Sequence, residues 1–287
     1  MTMKLSDYVM EFLAKKGIQY VFMLPGGGCM HLVDSLGRCD DLTYVACLHE
    51  QAASIAAESY AQNSNKIGAV LVTTGPGGTN TVTGLAAAWI DSTPVLFLSG
   101  QVKRSDRIGE SGVRQMGSQE VDIVPIVTPL TKFAVTVMKP TEIRYVLEKA
   151  YHLAMHGRRG PVWIDIPLDV QAAEIEPEKL RAYEPESETA DAPKAAIDKI
   201  RELLSAAKRP VLLVGNGVKA AGAETALQEL REKTGVPTLL TWKTIDLLDF
   251  DDPLYFGTPG GMGHRYANFV LQNADLLVVL GSRLDSS

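Results

Sequence analysis

A chain of 287 residues with 46% hydrophobic content carries enough apolar material for a sizeable core, and its length suits two domains better than one. Its 28 basic and 34 acidic residues leave a formal net charge of -6 and form no basic stripe, which argues against nucleic acid or an anionic membrane as a partner. No signal-peptide core and no apolar run of about 18 residues occurs. The three cysteines, Cys29, Cys39 and Cys47, fit neither a CxxC pair nor a zinc pattern, so reduced thiols in a cytoplasmic protein are expected.

In chain order, Leu5, Val9, Phe12 and Leu13 recur at helical spacing, and Lys15, Lys16 and Gly17 mark that helix's end. The apolar run Tyr20 to Leu24 then meets the turn "PGGG" (Pro25 to Gly28), followed by a helical pattern to about Leu36. The alternation repeats as strand Leu42 to Cys47 and a helix from Gln51, then strand "IGAVLVTT", turn "GPGGTN" and helix "TVTGLAAAWI". Strand "PVLFLSG", the helix "TEIRYVLEKAYHLAMHG" and strand "PVWIDIP" complete a first domain over 1–170. Continuous apolar strands separated by helices predict parallel sheets covered on both faces, an α/β doubly wound architecture. The acidic, poorly periodic stretch 171–191 reads as a linker, and a second α/β pattern fills 192–287. That second domain is expected to be incomplete, because a doubly wound domain needs more than its roughly 95 residues.

The glycine turns fit two readings. Gly26, Gly27 and Gly28 lie between a strand and a helix, where glycine lets backbone approach a ligand and a helix N-terminus favours anions, but any βα turn can use glycine for geometry. "TTGPGGTN" (Thr73 to Asn80) is richer in small residues at a strand's carboxyl end, and "VGNG" (Val214 to Gly217) holds the matching place in the second domain. Neither is a GxGxxG fingerprint or a Walker loop. Glu50, in "LHEQAAS", stands at a strand–helix junction. A carboxylate at the end of a buried strand loses water, which favours its neutral form and proton sharing, whereas a first-turn glutamate can merely complement the helix dipole. His49 has no second histidine or cysteine near enough to suggest a metal, and no metal ligand is assigned. The polar loop Ser99 to Asp122 is either an active-site lid or simply exposed.

Taken in this order, the stretches "FMLPGG" (Phe22 to Gly27), "HEQAA" (His49 to Ala53), "LVTTGPGGTN" (Leu71 to Asn80), "SGQV" (Ser99 to Val102), "QEVD" (Gln119 to Asp122) and "GPVWIDIPLDV" (Gly160 to Val170) resemble the N-terminal part of thiamine-diphosphate-dependent enzymes of the acetolactate synthase and pyruvate oxidase kind. The resemblance covers essentially the whole chain. It implies that the first domain binds the aminopyrimidine ring of thiamine diphosphate and that Glu50 hydrogen-bonds the ring nitrogen N1′, promoting the imino tautomer that deprotonates thiazolium C2. It places Gly26 and Gly27 at the reaction centre, Gly75, Pro76 and Asn80 beside the pyrimidine and a subunit interface, and Gln119 as an active-site glutamine.

The second domain resembles the family's central domain, which holds FAD in acetolactate synthases and nothing in several decarboxylases. Arg158, Gly215, Gly217, Gly281 and Arg283 fall where FAD-binding members make contacts, although "GTPGGMGH" (Gly257 to His264) replaces their usual glycine-histidine-glycine stretch. The family's third domain, whose GDG-to-Asn motif binds Mg²⁺ and the diphosphate, does not occur in the sequence. The expectation is therefore a fragment or split subunit that is inactive alone, with one half of a cofactor site completed in a homodimer or homotetramer. The implied reaction is decarboxylation of pyruvate or another 2-keto acid with acyl transfer to a second carbonyl compound. Ser118 stands where acetolactate synthases carry phenylalanine, which leaves open a carboligase for a keto-sugar acceptor. The missing diphosphate domain leaves open a non-catalytic cofactor-binding subunit.

Overall fold

The computed structural model describes residues 2–185 and 192–284, and the chain divides into two compact units, Met1–Glu186 and Ser187–Ser287. The first unit runs β1 (Met3–Lys4), α1 (Leu5–Lys15), β2 (Tyr20–Met23), α2 (Met30–Gly37), β3 (Thr43–Ala46), α3 (Glu50–Ser64), β4 (Gly68–Val72), α4 (Pro76–Thr79), α5 (Val82–Ile90), β5 (Val95–Gln101), α6 (Ile123–Val127), β6 (Phe133–Thr136), α7 (Ile143–Met155), β7 (Val162–Pro167), α8 (Leu168–Gln171) and β8 (Glu174–Ile175). Six strands form one all-parallel sheet in the order β3-β2-β4-β5-β7-β6. Parallel neighbours cannot be joined by a tight turn, so the connections cross over the sheet and carry the helices.

The central strands β4, β5 and β7 are buried along their whole length, as a sheet covered on both faces requires. One core packs Leu5, Leu13, Leu32, Leu98, Leu147 and Ile164 together, with contributions from α1, α2 and α7. The other joins Ala57, Leu85, Val70, Phe97, Ile123 and Trp163, with contributions from α3, α5 and α6. This is the doubly wound α/β architecture expected from the alternation. Phe97 and Trp163 stack with ring centroids 5.2 Å apart. α3 and α5 approach so closely that a Cβ on Gly84 would lie 2.3 Å from Ser54 Oγ.

Three details differ from the sequence reading. β6 was not anticipated, because "FAVT" is a short edge strand of four half-buried residues and looks like loop sequence. β3 is an edge strand too, with Tyr44 57% exposed, not a buried one. Residues 171–180, read as the start of a linker, pack on the first unit. Gln171, Ile175 and Leu180 are buried there, and β8 pairs antiparallel with β1. The end of the expected linker, 186–191, lies outside the described residues, as do 285–287 of the expected second domain.

The second unit runs α9 (Lys194–Ala206), β9 (Pro210–Val214), α10 (Gly217–Ala220), α11 (Glu224–Thr234), β10 (Thr238–Leu240), α12 (Arg265–Asn273) and β11 (Leu276–Leu280), with a parallel sheet in the order β10-β9-β11. Its buried Arg231 donates to Asp252 Oδ1 at 2.7 Å, Gln228 Oε1 at 2.9 Å and Thr238 Oγ1 at 3.1 Å. Both sheets reverse direction beside their founding strand. The chain leaves β2 for β3 on one side and then places β4 on the other, and it treats β9, β10 and β11 in the same way. Such switch points open a crevice at the carboxyl ends of the two flanking strands, where α/β proteins bind ligands.

Candidate functional site

Two turns meet at the switch point between β2 and β4. Thr73, just after β4, is the post around which they pack: its Oγ1 accepts the Gly28 N–H at 3.0 Å. A Cβ on Gly26 would lie 2.6 Å from Thr73 Cβ, and one on Gly77 would lie 2.6 Å from Thr73 Cγ2. Side chains at these positions would push the turns apart. A Cβ on Gly27 would meet nothing within 4 Å, so packing within the chain gives no reason for glycine there. Gly28 is fixed from its other side, since Gln171 Nε2 donates to its carbonyl at 2.7 Å.

Glu50 opens α3 beside this junction. His49 caps the helix, its Nδ1 accepting the Gln51 N–H at 3.1 Å. The Glu50 residue is only 8% exposed, although the strand before it is an exposed edge and Leu48 is fully in solvent. The expected cause of burial, the end of a buried strand, is therefore corrected. What covers Glu50 is the turn from Gly75 to Asn80: Asn80 Nδ2 donates to Glu50 Oε2 at 2.9 Å, and Oε1 lies 3.5 Å from where a Gly77 Cβ would stand. Oε1 accepts no hydrogen bond from the described residues. A sheltered carboxylate with one oxygen anchored and the other unclaimed can accept a hydrogen bond from, or share a proton with, a polar ring entering the crevice.

Gly75 adopts φ +59°, a conformation that favours glycine, and Pro76 starts α4 where its missing N–H costs nothing. The next loop closes onto this turn. A Cβ on Gly75 would lie 2.0 Å from the Gln119 carbonyl oxygen, and Gln119 itself has φ +58°. The structure thus brings Glu50, Gly75, Pro76, Asn80 and the backbone of Gln119 together, with Gly26 joined to them through Thr73. The Gln119 side chain is exposed.

Sequence reasoning missed the polar layer beneath this surface. Asp165, fully buried in β7, accepts from Ser99 Oγ at 2.6 Å, Thr136 Oγ1 at 3.1 Å and Gln101 Nε2 at 3.2 Å. Burial pushes its carboxyl up from the ordinary 3.8 to about 6, against the opposing pull of these donors and of the Arg107 charge. A lone carboxylate in the apolar run "VWIDIP" was the available signal. The match of "SGQV" to a family motif was another, and it pointed at Ser99 and Gln101 without saying what they touch.

The remaining expected residues lie elsewhere. Arg158 belongs to the first unit, where its Nε donates to Ser92 Oγ at 2.8 Å. Gly215, Gly217 and Gly281 do converge, at the switch point between β9 and β11. Gly217 N–H donates to Gly281 O at 2.8 Å, and a Cβ on Gly281 would lie 2.5 Å from Val218 N. Arg283 follows on the exposed stretch after β11. Among the described residues, no group of three or more His, Cys, Asp or Glu side chains could hold a metal ion, and no helix is long and apolar enough to cross a membrane.

Residues 3–126 match the thiamine pyrophosphate enzyme N-terminal TPP binding domain, and residues 197–287 match the thiamine pyrophosphate enzyme central domain. The chain is 38% identical over 283 residues to the acetolactate synthase isozyme 1 large subunit of Escherichia coli (strain K12), covering 98% of this chain and 48% of that protein. It is 35% identical to the acetolactate synthase large subunit of Lactococcus lactis subsp. lactis (strain IL1403), over 98% of this chain and 48% of the relative. The corresponding figures for the probable acetolactate synthase large subunit of Methanocaldococcus jannaschii are 36%, 98% and 47%. The chain spans about half the length of the curated relatives it matches. With both domain models of one family matched in order along it, the chain belongs to the thiamine pyrophosphate enzymes, a family named for thiamine diphosphate.

Proposed function

We propose that the crevice between β2 and β4 holds the aminopyrimidine side of thiamine diphosphate, in an enzyme that decarboxylates pyruvate or another 2-keto acid and transfers the acyl unit to a second carbonyl compound, as the names of the acetolactate synthase relatives suggest. The observation that carries this reading is Glu50, a buried carboxylate with Oε2 held by Asn80 and Oε1 unclaimed beside the glycine backbone of Gly77. When bound, thiamine diphosphate supplies the electron sink for decarboxylation. Glu50 Oε1 holds or shares a proton at the pyrimidine ring, and Asn80 keeps the carboxylate from turning away. Gly26, Gly27, Gly75 and Pro76 form the backbone wall of the crevice, and Gln119, on the loop closing over Gly75, helps place the substrate.

Mg²⁺ and the diphosphate are proposed to be held by the family's diphosphate-binding domain, as the resemblance implies. A homodimer or homotetramer whose subunits also carry that domain would complete the site, and these residues alone are proposed to be inactive. FAD is proposed for the second unit, at the β9–β11 switch point framed by Gly215, Gly217 and Gly281, with Arg283 as a further contact. The protein is proposed to work in the cytoplasm. The test is pyruvate turnover with thiamine diphosphate and Mg²⁺ by the assembled enzyme containing this chain, alongside its visible spectrum for flavin. Glu50→Gln is expected to lower turnover by roughly 100-fold or more. Undiminished turnover in that variant would overturn the assignment.

A further inference from the structure

We infer that Asp165 is a positioning residue: its carboxylate aims the Gln101 amide, and that amide ties the Thr73–Asn80 turn to the loop that carries Gln119. The inference rests on reading Gln119 as a site residue. Hydrogen-bond direction carries the argument. Trp163 Nε1 can only donate, and it gives its proton to Ser99 Oγ at 2.8 Å, so the Ser99 hydroxyl is turned toward Asp165 Oδ1. Thr136 Oγ1 and Gln101 Nε2 donate to Oδ2. Three donors converge on one acceptor-only group.

With Nε2 drawn to the carboxylate, the rest of the Gln101 amide is committed. The second proton on Nε2 goes to Val121 O at 2.9 Å, two residues from Gln119. Oε1 accepts from Thr74 Oγ1 at 2.8 Å, next to Gly75, and from Val102 N–H at 3.0 Å. Turning the amide over would set Oε1 against the oxygens of Asp165 and Val121, and NH₂ against the Val102 N–H. Asp165, with Val121 O and the Val102 N–H, therefore fixes which way Gln101 faces, and it is the one charged member of that set. A purely structural role is a poor account of it, because an apolar residue in this strand would avoid the cost of burying a carboxylate that has no ion-pair partner in contact.

The charged group acting on Asp165 is Arg107, on the same loop, whose Nη2 lies 3.4 Å from Asp122 Oδ1. Ser99 and Gln101 on β5, Thr136 on β6 and Trp163 on β7 bring no charge. Once Asp165 takes up a proton, the Ser99 or Thr136 hydroxyl can turn to accept it, but the Gln101 NH₂ can only donate, so its contact loses the charge that strengthened it. Folding linkage runs the other way. A carboxyl raised from 3.8 to about 6 binds its proton more tightly in the fold than in the unfolded chain, so the group's contribution to stability falls as pH rises through that window. Loop order and overall stability are thus expected to move in opposite directions between pH 3.8 and about 6.

Amide hydrogen exchange on the chain without cofactor tests this. Asp165→Asn and Gln101→Leu are each expected to speed exchange in 73–80 and 117–122 by roughly tenfold, the loss of about one hydrogen bond, while α1 and α7 stay within about twofold. In the unsubstituted chain, the intrinsic-rate-corrected protection of both segments should drop as pH falls through about 6, and in Asp165→Asn it should be flat. Thr136→Val, which keeps the Gln101 contact, should move that midpoint upward without loosening the segments at neutral pH. Uniformly faster exchange throughout the unit, or an unmoved midpoint in Thr136→Val, would overturn the inference. Because no cofactor or turnover enters the measurement, its result is independent of the Glu50→Gln test.

Discussion

A glutamate at the first turn of a helix ordinarily faces solvent, and only the turn laid over it takes Glu50 out of water. Removing the donor from that turn should show what the shelter costs. Asn80→Ala leaves Glu50 Oε2 sheltered with no partner, and the expected loss is about 1–3 kcal/mol, read as a lower midpoint in chemical denaturation. At this scale the sequence displayed the glycine turns and the carboxylate at the junction, because turn chemistry is local. It did not display the reason for burial, since Asn80 lies 30 residues away and only folding puts it within 2.9 Å. Asp165 was hidden for a related cause. One acidic residue in an apolar run says that something must satisfy it, but Ser99, Gln101 and Thr136 reach it from two other strands.

Among the elements, α3 and α5 are closely packed. Glu50 begins α3, and Asn80 stands at the end of α4, two residues before α5. A change in the spacing of these helices therefore reaches the Glu50–Asn80 contact. Gly84→Val should force them apart at the point where a Cβ already comes within 2.3 Å of Ser54 Oγ. The expected cost is about 1–3 kcal/mol, seen in thermal unfolding, together with a weaker contact between Glu50 and Asn80. The strand–helix alternation was legible because buried parallel strands are continuous apolar runs. The edge strands are poorly legible: β3 reads as buried and β6 reads as loop, since edge strands are short and half exposed and carry no such run.

In the whole molecule, both cores of the first unit close on residues between Leu5 and Leu180, and the second unit has its own small clusters around Leu212 and Leu239. Arg231→Met would strip Asp252 of its buried partner and is expected to cost the second unit roughly 3 kcal/mol. Tryptophan fluorescence from Trp242 alone, with Trp89 and Trp163 replaced by Phe, would follow that loss. The same architecture fixes when the site can form. The bonds that shape it join residues 30, 45 and 66 apart, and the one that pins Gly28 comes from Gln171, 143 residues downstream. Such long closures cost chain entropy before any contact repays it, and parallel sheets assemble slowly for that reason. During synthesis on the ribosome, the glycine turns, Glu50 and their partners Thr73 and Asn80 emerge early, but the bond that pins Gly28 from its other side waits for α8. A nascent chain stalled before Gln171 would therefore expose an unfinished crevice.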